Sequence, residues 1–311
     1  MSTQLSRREW LAGASVGVAA GLAQAAPPKD KEAAGFKFAL NTATIMGQKL
    51  SLTQEIDITA KAGYDAIEPW LNKLEKHAKD GGSLKDIGKR TRDVGLAIPD
   101  VIGFFEWIVD DEARRKKGME DAKRAMDLVH EIGGLRLAAP PLGATGSTGL
   151  SLEKAADRYR ALLELGDQMG VVPVAEFWGP SKTLGRLSEA AHVAIETGHP
   201  KACVLADVFH LYKGGSGFGG LRLLSAAALP IIHMNDYPAD PPREKITDAQ
   251  RVYPGDGVAP LKGLFRDLKG LGFQGYLSLE VFNRDYWNQD ALGVARTGLE
   301  KMRATIRASL E

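Results

Sequence analysis

From residue 36 onward the chain alternates short apolar runs with longer amphipathic stretches. Eight runs stand out: FKFALN (36–41), DAIEPW (65–70), LAIPDVIG (96–103), LRLAAP (135–140), VVPVAEF (171–177), ACVLAD (202–207), PIIHMN (230–235) and GYLSLEV (275–281). At six to eight residues each they have strand length, and they are bounded by turn-forming residues. The stretches between them have helix length; SLTQEIDITAKAG (51–63) and SLEKAADRYRALLELGDQMG (151–170) open on a serine cap and close on a glycine, as helices do. This rhythm predicts βα units and a parallel sheet, and eight units predict a single (β/α)8 TIM barrel over residues 35–311. A doubly wound nucleotide-binding sheet would need a Gly-rich turn directly after its first strand, and ALNTATIMGQK has none. The glycine-rich KGGSGFGG (213–220) follows the sixth run instead and reads as a loop between strand and helix.

Glu176, Asp207, His233 and Glu280 each stand at or near the end of an apolar run. One acidic residue at a strand end is ordinarily a loop cap or a surface group. Four of them in series gain a different meaning if the runs are parallel strands of one barrel, because their C-terminal tips then converge on one pocket. Carboxylate oxygens and an imidazole nitrogen suit one divalent ion such as manganese, cobalt, magnesium or zinc. Further candidates lie close to the tips. His210 follows Asp207 by three residues and is placed to meet a substrate hydroxyl or steady a ligand. Glu68 ends the second run, Arg251 precedes a Pro-Gly-Asp-Gly turn, and Trp178 follows Glu176; all three are candidate substrate contacts. Asp236, three past His233, reads as a loop or outlying carboxylate near the substrate more than as a fifth ligand.

Trp70, Phe104, Phe105, Trp107, Phe177 and Trp178 also cluster near the tips, where aromatics either stack on a sugar ring or simply pack. His77, His130, His192 and His199 fall on helical stretches, away from the mouth. The run EARRKKGMEDAKR reads as the solvated face of a helix. The single cysteine, Cys203, sits inside an apolar run and reads as a core residue with no possible internal disulfide.

A divalent ion chelating a ketone oxygen and the neighbouring hydroxyl stabilises the charge that appears when the adjacent carbon loses its proton. A carboxylate on one face of the sugar takes that proton and a second on the opposite face returns one. Glu176 and Glu280 are therefore the candidate acid/base pair for an isomerase or epimerase. If a leaving group sits β to the acidified carbon, the same enediolate expels it, and the enzyme is a lyase or dehydratase acting on a keto-sugar or an inosose-like ring.

The series D-x-x-H (207–210), H-x-N-D (233–236) and R-x-x-P-G-x-G (251–257), with Glu68, Glu176 and Glu280 at run ends, resembles the xylose isomerase-like barrel superfamily of sugar isomerases and epimerases. The resemblance spans almost everything after residue 35. It implies, by likeness to the ketose 3-epimerases of that superfamily, that Glu176, Asp207, His233 and Glu280 hold one metal ion. It also implies that His210 and Arg251 contact substrate and that the two glutamates double as acid and base. A two-metal aldose isomerase would need a second ligand set, which the sequence lacks. An abasic-site endonuclease of the same superfamily would need many histidines at the tips, where only His210 and His233 stand. A sugar-binding barrel that had lost catalysis would lack one of the two glutamates, and both are present.

Charge and the first residues complete the picture. Forty basic against thirty-nine acidic side chains leave a net charge of +1, which gives no field for nucleic acid or an anionic membrane. A small carbohydrate fits better, and a homo-oligomer stays open. Arg7 and Arg8, followed by the uncharged LAGASVGVAAGLAQA, resemble a twin-arginine export signal over residues 1–26, with Ala23-Gln24-Ala25 as a small-x-small cleavage motif. Residues 27–34 then form a linker. The mature protein is expected to be periplasmic or secreted, without a membrane span once the signal is removed.

Overall fold

The computed structural model describes residues 35–311; the export signal and linker expected over 1–34 lie outside the described residues. Strands β1 (Lys37–Asn41), β2 (Ala66–Glu68), β3 (Arg136–Ala139), β4 (Val172–Glu176), β5 (Val204–Asp207), β6 (Ile231–Met234) and β7 (Tyr276–Leu279) are all parallel. They curl in the order β2-β1-β7-β6-β5-β4-β3. The helices are α1 (Leu52–Ala62), α2 (Leu71–Lys79), α3 (Leu84–Asp93), α4 (Glu112–Ile132), α5 (Leu152–Met169), α6 (Leu187–Glu196), α7 (Val208–Lys213), α8 (Leu261–Gly270), α9 (Arg284–Trp287) and α10 (Ala291–Leu310). The architecture is a single α/β domain of TIM-barrel type.

The third of the eight expected strands, at 96–103, does not form as a regular strand, which corrects the count to seven. Pro99 in its middle has no N–H to give to a ladder. The segment still bridges the gap between β2 and β3. Ala97 and Ile102 donate to the carbonyls of Asp65 (3.1 Å) and Pro69 (3.0 Å) on one side, and Val101 donates to Arg136 (3.1 Å) on the other.

Helix boundaries follow the caps in the sequence. Ser51 and Gln54 form a capping box at the start of α1, and Gly63 closes that helix at φ 94°, a left-handed conformation that glycine adopts without strain. At α5 the Ser151 side chain accepts from the Lys154 amide and Gly170 closes the helix at φ 70°. The charged run EARRKKGMEDAKR lies in α4, with most of its charged side chains exposed.

Strand alternation builds the floor of the site. Side chains of a strand point to opposite faces with period two. Val174, Leu205 and Ile231 pack with Ile102, Ala138 and Cys203 in a buried apolar layer inside the sheet's curl. Two residues further along the same strands come Glu176, Asp207 and His233, so the polar residues stand one pleat above that plug. The intervening Ala206, Ile232, Met234, Leu277 and Leu279 face the other way and pack beneath the helices with residues such as Leu264, Phe265, Leu299 and Met302.

Candidate metal centre and active site

The strand tips bring together most of the residues singled out in the sequence. In the sheet register Asp207 lies beside His233 and His233 beside Ser278, so three neighbouring strands present one row. Ligand atoms of Asp207, His233 and Glu280 all fall within 4.8 Å of one another, and all three residues are buried. His233 Nδ1 stands 3.1 Å from Glu280 Oε2 and 3.7 Å from Asp207 Oδ2, yet it makes no aligned hydrogen bond. Two carboxylates and a ring nitrogen left without a partner are a donor set that fits a divalent cation. Glu176 borders the same cavity, but its oxygens lie outside this three-residue cluster.

A second layer of hydrogen bonds holds this cluster. His233 Nε2 lies 3.0 Å from Glu68 Oε1. Glu68 Oε2 accepts from Asn41 Nδ2 (2.8 Å) and from Ser278 Oγ (2.7 Å). Asn41 Nδ2 also reaches Glu280 Oε1 at 3.1 Å. A carboxylate on the far ring nitrogen fixes the imidazole's orientation and turns the other nitrogen toward a metal. Glu68 is fully buried, with both oxygens engaged by protein groups, and does not line the cavity; the structure places it behind His233 instead of against substrate.

Arg251 is buried and dense with contacts. Its Nη1 donates to Asp207 Oδ2 (2.7 Å) and Glu280 Oε2 (2.9 Å), and its Nη2 to Asp248 Oδ1 (2.5 Å). The guanidinium carbon sits 4.7 Å from the Phe209 ring and 5.1 Å from the Phe282 ring, a cation–π arrangement on two rings. His210 borders the cavity with Nδ1 unpartnered, and its backbone N–H caps on Asp207 Oδ1 at 2.8 Å. Asp236 stands apart. Its Oδ1 accepts from the amides of Tyr237 and Ala259 and its Oδ2 from Gly255, so it shapes the 252–259 loop and is not presented to substrate. A Cβ on Gly257 would come within 2.3 Å of Asp236 Oδ1, which is why the turn after Arg251 requires glycine there.

Burial dominates the electrostatics, and charge pairing decides its sign. Burial pushes the Glu176 carboxyl up to about 8, with His233 opposing the shift and Glu280 and Asp207 adding to it. Glu280 is raised by burial as well, against His233 and Arg251. Burial also favours neutral Asp207, but Arg251, His210 and His233 outweigh it and hold that carboxyl below its usual range. His210 is lowered to about 4, chiefly by burial. His233 goes the other way: burial disfavours its charge, yet Glu280 and Glu68 lift it well above the usual histidine range. A cation at Nδ1 therefore competes with a proton.

The cavity above the cluster measures about 320 Å³, at the small end of the ~300–1,000 Å³ that small-molecule sites span. Trp70, Phe104 and Trp178 line it, whereas Phe105, Trp107 and Phe177 are buried in the core. Cys203 is a buried free thiol in the apolar plug. The sequence reading missed Asn41, Asp248, Ser278 and Phe282. Asn41 carried the same signal as the ligands, a polar residue ending an apolar run. Asp248 opens a single 3-10 turn and Phe282 follows β7 in a loop, and no periodicity marks either.

Comparison with known proteins agrees with this fold. The inosose isomerase of Bacillus velezensis is 28% identical over 277 residues, covering 87% of this chain and 97% of that protein. The 3-dehydroshikimate dehydratase of Pseudomonas putida is 24% identical over 237 residues, covering 75% of this chain and 36% of that protein. Among solved structures, the IolI protein with a bound zinc atom shares the fold at a TM-score of 0.81 and 24% identity, over 88% of this chain and 99% of that one. The family model for xylose isomerase-like TIM barrels matches residues 56–305, and the chain belongs to that family.

Proposed function

We propose that the protein is a metal-dependent sugar isomerase or epimerase that removes a proton from the carbon next to a carbonyl. One observation carries this reading: Glu176, at the end of β4, and Glu280, just past β7, with β5 and β6 between those strands, face one cavity beside the candidate ligand set of Asp207, His233 and Glu280. The zinc in the IolI structure supports a divalent ion at that set. Such an ion, when bound, stabilises the negative charge that develops on a ketone oxygen during enolisation.

The chain's own groups do the rest. Glu176, outside the tight cluster, keeps a carboxyl free for proton transfer, and Glu280 supplies the second carboxyl on the other flank. His210 offers an uncommitted Nδ1 to a hydroxyl. Arg251, pinned by three carboxylates, contributes fixed positive charge that needs no rearrangement during reaction. Trp70, Phe104 and Trp178 wall the cavity against water.

Likeness to the inosose isomerase supports a cyclic or open keto-polyol as substrate. Likeness to the dehydratase supports elimination as a second reading, because an enolate with a β-hydroxyl expels it through the same carboxyl groups. Incubation of the metal-loaded protein with 2-keto-myo-inositol in D2O distinguishes them: deuterium at the carbon next to the carbonyl with a new stereoisomer marks isomerisation, and loss of water marks elimination. Glu280→Gln is expected to lower either rate by about 10²–10⁴-fold. Full activity in that variant would overturn the mechanism.

The same reading places the protein outside the cytoplasm, exported by the signal at Arg7 and Arg8, where free sugars and glycosides are available and sugar phosphates are not. An Arg7→Lys, Arg8→Lys double variant is expected to stay in the cytoplasmic fraction while the parent is recovered from the periplasm. Equal distribution of the two would refute export by this route.

A further inference from the structure

Two non-glycine residues among the described ones have a left-handed backbone, Lys49 at φ 54° and Leu184 at φ 57°. Lys49 is the exposed cap that ends a short 3-10 turn, a common place for that conformation. Leu184 is fully buried, in the core cluster that also holds Leu150, Tyr159 and Val193. A bulky side chain with such a backbone is an outlier, and it persists only where the surroundings over-determine it. The next residue, Gly185, would take the left-handed conformation without strain, yet its φ is not positive.

The glycines of this loop serve close approach instead. A Cβ on Gly185 would collide with the Ser181 carbonyl oxygen, one on Gly214 with the Gly185 carbonyl oxygen, and one on Gly179 with the backbone nitrogen of Gly214 and the carbonyl oxygen of His210. The 178–185 loop therefore lies backbone to backbone on the end of α7, the helix that carries His210. Leu184 closes the loop, because its carbonyl accepts from the Trp178 amide at 2.9 Å. The Lys182 amide donates to the Thr145 carbonyl (2.9 Å) and the Thr183 hydroxyl to the Ser147 carbonyl (2.9 Å), so the far side of the loop is tethered as well. Its two cavity-lining members are Trp178 and Pro180, and the Trp178 indole stands against the Glu176 carboxyl.

We infer that Leu184 is a positioning residue for the acid/base carboxyl: its left-handed backbone, locked by the core around its side chain, holds Trp178 against Glu176. The inference rests on the proposed function, which gives Glu176 the proton transfer. A glutamate side chain turns about several bonds, and only packing and hydrogen bonds from its surroundings fix its aim. A misplacement of about 1 Å at a reacting group costs roughly 10²-fold in rate. Leu184 touches neither substrate nor Glu176 and acts through the indole alone.

Two readouts on the metal-loaded mature protein test this: amide exchange at Trp178, and deuterium incorporation into 2-keto-myo-inositol in D2O. Leu184→Ala is expected to speed exchange of the Trp178 amide by about tenfold or more, with β1, β6 and β7 unchanged, and to slow incorporation by about tenfold. Leu184→Met, of similar volume, is expected to restore both. Thr183→Val removes one tether of the same loop with little change of shape and serves if Leu184→Ala does not fold; it is expected to speed the Trp178 amide about fivefold. The decisive comparison repeats Leu184→Ala in a Trp178→Phe background, where it is expected to slow incorporation no further. An equal loss with and without the indole, or a Trp178 amide that neither variant affects, would overturn the positioning role. If the parent incorporates no deuterium, the proposed function fails, while the Trp178 amide still decides whether Leu184 holds that residue in place.

Discussion

At the scale of single residues, the site is governed by which buried polar atoms have partners. Glu68 spends its carboxylate on His233, Asn41 and Ser278, and this leaves His233 Nδ1 as the unpartnered atom beside two acids. Glu55 on α1 shows the cost of burying an acid with less support. Burial raises its pKa to about 7 against the pull of Lys73, whose Nζ lies 2.8 Å away. Between the unfolded value of 4.5 and about 7, the folded state holds a proton that the unfolded state releases, so stability falls as pH rises through that window. The loss is complete above it, on the order of 3 kcal/mol. Denaturant melts at pH 5 and pH 8 are expected to show Glu55→Gln gaining on the parent by up to about that amount; a pH-independent difference would contradict the assignment.

Glu68 also shows what a sequence conveys at this scale. Glu176, Asp207, His233 and Glu280 were legible because a polar residue that ends an apolar run must sit where the strand leaves the core. Whether such a residue faces the ligand or supports another ligand depends on the neighbouring strand's register. That is why Glu68 read as a substrate contact and Asn41 went unnoticed. The role of Asp236 depends on the path of the 252–259 loop, which no local pattern encodes.

At the scale of elements, the βα alternation and the serine and glycine caps located the strands and helices. The third strand was the exception. LAIPDVIG has strand composition, but Pro99 interrupts its ladder and the segment pairs only through isolated contacts with β2 and β3. Irregular segments matter most around the site. Lys213, the last residue of α7, donates to the carbonyls of Arg243 (2.9 Å), Glu244 (3.1 Å) and Ile246 (2.8 Å). It thereby ties the helix that carries His210 to the segment that carries Asp248 and Arg251. Replacing it with methionine removes three charge-assisted hydrogen bonds and is expected to speed amide exchange over residues 243–250 by about tenfold or more, with β1 to β7 unaffected. Unchanged exchange there would show that the segment is held by other contacts.

At the scale of the whole molecule, the curled sheet brings Asp207 from β5, His233 from β6 and Glu280 from the end of β7 to one point, above a buried apolar plug. No helix of the described residues is long and apolar enough to cross a membrane, and a net charge of +1 supplies no strong field toward polyanions. The account stands on the cation at the centre of that arrangement. Elemental analysis of the purified mature protein beside its Asp207→Ala and His233→Ala variants tests it most directly. The account predicts about one equivalent of a divalent metal in the parent and its loss in both variants, each still folded by circular dichroism. A parent that holds no manganese, cobalt, zinc or magnesium, and whose thermal stability does not rise when these ions are added, would contradict it.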